Sequence, residues 1–525
     1  MTLHNYLVIY KYFSICDENV IFTTYSIIQK ENLMLRVFHK IVICVVLIAL
    51  PISIFSQGVG NKGKGGGRQP FLEQQLPTVV VANKSLSVIL GRPTQNSITA
   101  NILSANGLEG YIEYGTVKNS YVKQTVKISI TVGVPVELLL DNLTADTQYY
   151  YRLRSRRPGT VPFDTSEECT FHTQRAVGSA FTFDIQGDSH PERAQQHDSV
   201  FYAQTLKAAA ADKPDFYMAI GDDFSVDTLR TLDADSIKKV YLHQRYFLSL
   251  IGQSAPLFLV NGNHEQAAMC NLDGTANNVA VWAQVNRNSL FPQPGPDKFY
   301  TGDTQTVDNI GLLRDYYAWT WGDAQFIVID PYWHSTMAVD NPLGGGQKTR
   351  DLWNTTIGDT QYQWLKKILE DSKSKYKFIF AHHVLGTGRG GIEEATICEW
   401  GGYDKNGRYL LSIKRPTWPL PIHQLMAKNG VTIFFQGHDH IFVKQTLDGV
   451  IYQTLPEPAD PNYALYNADA YFTGDKFPNT GYTRVVVAPD KVTVNYVKQY
   501  LPKDETDKQK SGDIAFSYSV TSKKP

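Results

Sequence analysis

Five short segments between residues 187 and 440 carry side chains that could perform chemistry. They read GDSH (187–190), GDD (221–223), GNHE (262–265), FAHH (380–383) and GHDH (437–440). Carboxylate and amide oxygens mixed with imidazoles, without thiolates, suit Zn, Mn or Fe ions and fit neither an iron–sulfur cluster nor a blue-copper centre. These donors are too many for one four-coordinate ion. The segments therefore predict a site for two metal ions.

The elements that position these side chains are short apolar runs of strand length, which alternate with helical periods from residue 177 to residue 500. FTFDIQ, DFYMAI and VTIFFQ are predicted strands, whereas FYAQTLKAAAAD and SIKKVYLHQRYFLSLI are predicted helices. This alternation is typical of a layered α/β domain. Each of the five segments follows a predicted strand. Because ligands of open α/β sheets bind at the carboxyl ends of the strands, we expect the five strand ends to converge on one site.

Residues 77–176 have a different, all-β pattern. Segments such as SITANILS, EGYIEYG and QYYYRLRS are rich in β-forming residues, and Asn, Gly, Pro and Asp residues separate them. This pattern predicts a β-sandwich. The region has no cluster of His or carboxylate residues that would suggest catalysis. We therefore expect it to act as a spacer or docking domain.

The N-terminal part of the chain predicts export. The apolar run IVICVVLIAL (41–50) follows basic residues and precedes the polar stretch PISIFSQ. This order predicts a secretory signal within residues 1–56, and the run is short for a membrane span. An uncleaved N-terminal anchor is the alternative. Either segment implies a secreted, periplasmic or cell-surface protein with no other membrane association.

Two further segments flank the predicted domains. Residues 57–76 include the stretch GVGNKGKGGGR, which has the composition of a flexible linker. Residues 501–525 are predicted to be a charged tail with a short final strand. The organisation predicted from the sequence is thus signal segment, linker, β-sandwich, α/β domain and tail.

The charge balance excludes some classes of partner. The 525 residues include 50 Lys and Arg against 51 Asp and Glu, which gives a formal net charge of -1. Proteins that bind nucleic acid usually show a basic excess, so we expect no nucleic-acid partner. Five cysteines without a CxxC pair exclude a zinc ribbon and a disulfide-dense scaffold. The oligomeric state is not specified by these features.

The five ordered segments resemble the motifs of the calcineurin-like metallophosphoesterase superfamily, and with the preceding β-sandwich the chain is similar to purple acid phosphatases. The resemblance implies a layered metallophosphoesterase β-sandwich flanked by helices, preceded by an all-β domain. LDNLTADTQYYYRL (140–153) resembles the end of a fibronectin type III module, so that first domain is expected to be fibronectin III-like. The resemblance implies six metal ligands: Asp188, Asp222, Asn263, His382, His438 and His440. His190 is expected to be the seventh.

One position departs from the purple acid phosphatase pattern. A tyrosine ligand is usual three residues after the bridging Asp222, and this chain has Ser225 there. Wider members of the superfamily have an Asp-x-His in the first segment, as Asp188 and His190 do here. We therefore expect His190 to be the replacement ligand. The resemblance does not assign Fe(III), and the metals are expected to be Zn, Mn or Fe.

The resemblance also implies a mechanism. Two metal ions can lower the pKa of a bound water so that hydroxide attacks the phosphorus, and His264 is expected to protonate the leaving oxygen as general acid. Arg389 is a candidate contact for the phosphate. The favoured function is an exported phosphomonoesterase with a small phosphate-ester substrate. A phosphodiesterase acting on nucleotides or glycerophosphodiesters shares every ligand, and a non-catalytic surface binding protein is the remaining alternative.

Aromatic residues mark a long predicted loop near the site. Trp400, Tyr403 and Trp418 lie in the Gly-rich stretch from Val384 to Pro421. They could stack on a base or sugar, or they could pack the loop against the domain. The sequence favours neither interpretation.

Overall fold

The computed structural model describes residues 85–340, 351–384 and 388–522. The predicted signal segment (1–56) and linker (57–76) lie outside these ranges. Within the described ranges, every helix is too short or too polar to cross a membrane.

The first described region is all-β, as the sequence predicts. Its strands are β1 (Leu86–Gly91), β2 (Ile98–Ser104), β3 (Leu108–Gly115), β4 (Lys123–Gln124), β5 (Ile128–Ile130), β6 (Val136–Leu140), β7 (Gln148–Arg156), β8 (Asp164–Thr165) and β9 (Cys169–His172). One sheet has the order β1-β2-β6, and the other has the order β4-β3-β7-β8, with β5 on β3 and β9 on β7.

Strand β7 shows how its sequence builds this core. Tyr149, Tyr151 and Leu153 are buried while their neighbours are half-buried, as expected for a strand with one face on the core. The Tyr149 hydroxyl accepts a hydrogen bond from the Thr144 amide at 2.8 Å. This bond has the form of a tyrosine corner, in which a strand Tyr binds the backbone a few residues upstream. It fixes the turn between β6 and β7.

The second region begins with three parallel strands and their helices. Its elements to residue 340 are β10 (Phe181–Gln186), α1 (Ser199–Ala211), β11 (Phe216–Ala219), α2 (Ala234–Gly252), β12 (Leu257–Leu259), α3 (Val279–Leu290), β13 (Thr301–Gly302), β14 (Thr306–Val307), β15 (Gly311–Leu312), β16 (Tyr317–Trp321) and β17 (Ala324–Val328). The side chains of Asp198, Asp233 and Asn278 accept hydrogen bonds from the first turns of α1, α2 and α3. These caps define where the three helices begin.

The remaining elements complete both sheets of the second region. They are α4 (Gly358–Asp371), β18 (Tyr376–Phe380), α5 (Cys398–Gly401), α6 (Leu411–Lys414), α7 (Ile422–Lys428), β19 (Ile433–Gln436), β20 (Phe442–Leu447), β21 (Val450–Thr454), β22 (Asp475–Phe477), β23 (Gly481–Val487), β24 (Lys491–Lys498) and β25 (Ile514–Thr521). Strand β25 lies in the predicted tail (501–525) and pairs with β24 along its length.

Two sheets face each other in the middle of this region. One has the order β12-β11-β10-β23-β24-β25, and the other has the order β13-β16-β17-β18-β19-β21-β20-β22. Their shared core is aromatic; for example, Phe183 of β10 packs edge-on against Phe326 of β17 at 5.2 Å between ring centres. Helices α1 to α3 cover the outside of the first sheet, and α4 and α7 cover the second. This arrangement is the layered β-sandwich flanked by helices that the resemblance implies.

The topology brings the five chemical segments to one edge. Strands β10, β11 and β12 run parallel in the first sheet, and β18 and β19 run parallel in the second. Each is followed at its carboxyl end by one of the five segments. Because carboxyl ends of parallel strands lie at the same edge of a sheet, both sheets deliver their polar side chains to one place.

A buried arginine joins the all-β region to the layered domain. Arg245 of α2 is 1% exposed, and its guanidinium donates hydrogen bonds to the Ser87 Oγ atom at 3.0 Å and to the Asn101 carbonyl at 2.9 Å. It also donates to the Leu290 carbonyl at the end of α3. Burial lowers the pKa of Arg245 to about 9. Its side chain therefore satisfies carbonyl groups on both sides of the contact.

We expect Arg245→Met to lower the free energy of unfolding by about 2–4 kcal/mol, because the substitution leaves buried carbonyls without donors. Urea denaturation of the purified chain measures this change. Arg230→Met, at an exposed position, is the control and should shift the midpoint little. Equal stability of the two variants would show that the contact does not depend on Arg245.

Candidate dinuclear metal centre

The first ligand cluster consists of Asp188, His190 and His440, all at least 96% buried. The Asp188 Oδ2 atom lies 3.1 Å from His440 Nε2 and 3.5 Å from His190 Nε2. The two imidazole Nε2 atoms are 3.1 Å apart. One donor atom from each residue falls within 4.8 Å of the others, so the three can hold one metal ion.

The second cluster consists of Asp222, His382 and His438. It lies beside the first cluster, and Asp222 joins the two. The Asp222 Oδ2 atom lies 3.0 Å from His382 Nε2 and 3.7 Å from His190 Nε2. His382 Nε2 is in turn 3.3 Å from His438 Nδ1. One carboxylate therefore faces imidazoles of both clusters. This is the geometry expected of a bridging ligand between two ions.

A buried acceptor without a hydrogen bond shows that the site fits metal ions. The Asn263 Oδ1 atom is buried and makes no hydrogen bond within the described residues. Asn263 instead uses its Nδ2 group to donate to the Asp340 carbonyl at 3.0 Å. This bond holds the amide so that Oδ1 remains available as a ligand. A buried polar atom without a hydrogen bond is costly, and a cation removes this cost.

Four of the predicted ligands have a strained backbone. The φ angles of His190, Asp222, His438 and His440 are +39°, +57°, +68° and +56°, in the left-handed region that residues with a Cβ rarely adopt. Each such residue costs on the order of 1–3 kcal/mol and tends to occur at functional sites. Left-handed turns directly after the strands point the side chains back over the strand ends. The surrounding structure must hold these turns in place.

Glu265 is the main support of these turns. Its carboxylate accepts hydrogen bonds from the backbone amides of Asp222, Asp223 and Phe224, at 3.1, 2.7 and 2.9 Å. It also accepts one from the Gly262 amide. Glu265 thus ties the second and third segments together.

The ligand imidazoles have hydrogen-bonding or ionic partners on their far side. His190 Nδ1 lies 2.9 Å from Glu192, His440 Nδ1 lies 3.2 Å from Glu457, and His438 Nε2 lies 3.2 Å from Asp340. His382 Nδ1 donates to the Ile220 carbonyl at 3.0 Å. Such partners fix ring orientation and raise the basicity of the ligand nitrogen. The three carboxylates were not identified from the sequence.

Ser225 and His383 both lie beside ligand imidazoles. The Ser225 Oγ atom is buried 3.3 Å from His190 Nδ1, and so it supports the ring of the residue expected to replace the tyrosine ligand. His383 lies behind His382, stacked on His438 at 4.4 Å between ring centres. Its Nδ1 atom is 3.1 Å from the Tyr332 hydroxyl. His382, and not His383, is the residue that contacts Asp222.

His264 lies at the open side of the centre. Its Nδ1 atom is 2.8 Å from the Asp227 carboxylate, and its Nε2 atom is 3.7 Å from Asp222 Oδ2. Arg193 places its Nη2 group 3.1 Å from the same Nε2 atom. Burial opposes the charged imidazolium, but Asp222 and Asp227 together raise the pKa of His264 to about 9. The sequence did not identify Asp227 or Arg193.

The contacts of Arg389 and of the loop tryptophans hold segments of the protein together. The Arg389 guanidinium donates to the His438 carbonyl and to Asp439 at 3.1 Å, so it braces the fifth segment. Its predicted phosphate contact remains a prediction. Trp400 and Trp418 are buried, and Trp418 stacks on Tyr362 at 3.8 Å between ring centres. Of the two interpretations open for these tryptophans, packing of the loop is the one that the structure supports.

We expect Gly262→Ala to weaken metal binding about 10- to 100-fold. A Cβ atom at this position would overlap the Asp222 Oδ1 atom and amide, and so would displace the Asp222 carboxylate. Inductively coupled plasma mass spectrometry of the dialysed protein measures the bound metal. Gly295→Ala is the matched control, because its Cβ atom would meet only ordinary contacts at 3.6 Å and beyond. Full metal content in Gly262→Ala would contradict this account of the turn.

Comparisons with known proteins identify a family for this domain and a solved structure that shares the fold. The family model for calcineurin-like phosphoesterases matches residues 181–442. A solved structure described as PhoD is similar with a TM-score of 0.58 and 14% identity, covering 83% of this chain and 90% of that one; this shows a shared fold. GAP50, described as the anchor in the inner membrane complex of Plasmodium, aligns with a TM-score of 0.36 and 12% identity over 66% of this chain and 90% of its own.

A comparison with curated protein sequences gives no match. The family model and the fold agree on the same part of the chain, and the five chemical segments lie within it. Residues 181–442 therefore form a calcineurin-like phosphoesterase domain, which places the chain in the superfamily of metal-dependent phosphoesterases.

Proposed function

We propose that the chain is an exported phosphomonoesterase with a dinuclear metal centre. The observation that carries this proposal is the shared position of Asp222 between two clusters of buried ligands, with His264 on the open side. Seven residues are proposed as ligands: Asp188, His190, Asp222, Asn263, His382, His438 and His440. Zn, Mn or Fe ions suit these donors. When bound, two such ions activate a water nucleophile and neutralise charge on the phosphoryl group.

The protein side chains supply orientation and a proton. Asp227 accepts the Nδ1 hydrogen of His264, which leaves Nε2 to carry the proton that is given to the leaving oxygen. The carboxylate also fixes the ring so that Nε2 faces the centre. His264 is therefore proposed as the general acid, and Asp227 as the residue that positions it.

Arg193 is proposed to bind a phosphoryl oxygen. Arg193 Nη2 and a protonated His264 Nε2 are both donors, yet they lie 3.1 Å apart. Two hydrogen-bond donors at this distance repel each other unless both donate to a common acceptor or one of them moves. An anionic phosphoryl oxygen supplies such an acceptor, and guanidinium groups suit phosphate. A substrate contact is therefore better supported for Arg193 than for Arg389.

Three finer identifications are proposals. The purple acid phosphatase-like character rests on the order of the segments, and Ser225 in place of the tyrosine ligand removes the basis for the purple colour. The fibronectin III-like character of the first domain is supported by the two-sheet arrangement and by the Tyr149 corner. Export rests on the segment 1–56.

The experiment that tests the function compares p-nitrophenyl phosphate with bis(p-nitrophenyl) phosphate, using chain reconstituted with Zn, Mn or Fe. We expect hydrolysis with preference for the monoester, and loss of activity together with loss of metal from the dinuclear centre in Asp222→Asn. Asp235→Asn, on the exposed side of α2, is the control and should match the wild type. Preference for the diester would favour the phosphodiesterase alternative. Silence on both substrates with every metal would point to a narrow natural substrate or to the binding-protein alternative.

We expect His264→Ala to slow hydrolysis of an alkyl phosphate by about 10²–10⁴-fold, because an alkoxide leaving group needs the proton. Hydrolysis of p-nitrophenyl phosphate should fall much less, since nitrophenolate leaves without protonation. Steady-state kinetics on both substrates measures the difference, with metal content checked on the same sample. Unchanged turnover of the alkyl phosphate would rule out His264 as the acid.

A further inference from the structure

A second group of metal-type side chains lies outside the dinuclear centre. Asp303 follows β13, Asp315 precedes β16, and His334 lies in the loop after β17. One donor atom from each of the three lies within 4.8 Å of the other two. The backbone of Asp303 pairs with Tyr316, so the β13 and β16 strands hold the two carboxylates side by side.

This group is buried and its hydrogen bonding is incomplete. Asp303 is 2% exposed and Asp315 is 0% exposed. The Asp303 Oδ2 and Asp315 Oδ1 atoms make no hydrogen bond within the described residues, whereas the other Asp303 oxygen accepts one from the Gln305 amide at 2.8 Å. Burial and both carboxylates raise the pKa of the neighbouring Tyr316 hydroxyl. His334 Nε2 lies 2.9 Å from the other Asp315 oxygen. The imidazole is thus paired with Asp315, and each of the two buried carboxylates still presents one oxygen without a hydrogen bond.

The surroundings make two ionised carboxylates at this place unfavourable without a cation. Across the described ranges, His334 is the one basic side chain within 4.0 Å of either carboxylate. Tyr316 lies 5.5 Å from the His334 ring between centres, and Trp364 lies 4.8 Å from Tyr316. Even with a protonated imidazole, two ionised carboxylates leave one uncompensated negative charge among aromatic rings. Such a charge is expensive when it is buried and unpaired.

We propose that Asp303, Asp315 and His334 bind a third divalent transition-metal ion, Mn²⁺ or Zn²⁺, separate from the dinuclear centre. Two carboxylates and one imidazole are the donor types that these ions accept. The ion would occupy the unpartnered carboxylate oxygens and neutralise the excess charge. The alternative is a proton shared between the carboxylates. It needs no ion and predicts one metal ion fewer per chain.

The position of this site suggests that the ion is structural. His334 belongs to the loop that also carries Tyr332 and Asp340 to the dinuclear centre. The Tyr332 hydroxyl lies 3.1 Å from His383 Nδ1, and Asp340 lies 3.2 Å from His438 Nε2. An ion at His334 would tie the base of this loop to β13 and β16. It would thereby stabilise the outer partners of the ligand imidazoles.

The test measures metal content of the full chain reconstituted with Mn²⁺ and dialysed. We expect the wild type to hold one ion per chain more than Asp315→Asn and His334→Gln. Asp308→Asn, an exposed position in the same part of the chain, is the matched control and should hold as much as the wild type. Asp222→Asn should keep the third ion when it loses ions from the dinuclear centre. Its electron paramagnetic resonance spectrum should then be that of an isolated Mn²⁺ ion.

Two outcomes would overturn this proposal. Equal metal content in the wild type and in folded Asp315→Asn or His334→Gln would show that the shared proton is the correct description. If both variants fail to fold, Asp222→Asn decides, because a metal-free Asp222→Asn protein excludes a third ion. Neither result depends on whether the chain hydrolyses phosphate esters, so failure of the proposed function is distinguishable.

Discussion

The rest of this domain depends on keeping Asp188 and Asp222 charged in a fully buried place. Both carboxylates are 1% exposed, and imidazoles of His190 and His382 lie within 4 Å of both. One oxygen of each carboxylate lies within 4.8 Å of the other. Two buried negative charges at this distance repel each other and lose their hydration. Bound cations remove both penalties. Metal binding and the local fold are therefore coupled, as in other sites whose ligands must be assembled by folding.

The left-handed turns after the strands follow from this constraint. A ligand at the end of a strand would normally point to one face of the sheet, whereas a positive φ angle turns it over the strand end. Asp222 and His438 both do so, in different sheets. Glu265 holds the turn of Asp222 through backbone amides, and Arg389 holds the turn of His438 through its carbonyl. Glu265 and Arg389 thus maintain the strained conformation of the two ligands.

The parts of the fold that repeat along the sequence could be predicted. Apolar runs of strand length gave β10, β11, β12, β18 and β19, and the polar residues after them identified the side chains that the structure brings together. Residues outside this repeat could not be found in the same way. Glu192, Glu457 and Arg193 lie in irregular segments, where only the folded chain decides which groups are neighbours. The Asp303, Asp315 and His334 group likewise joins residues that no spacing rule connects.

The measurement that tests the central claim most directly is anomalous X-ray scattering from crystals of the Mn²⁺-loaded protein. Asp222 should lie between two anomalous peaks about 3.5–4 Å apart, the separation of paired catalytic ions. One peak should contact Asp188, His190 and His440, and the other should contact Asn263, His382 and His438. A single peak in this place, or two peaks that do not share Asp222, would contradict the account.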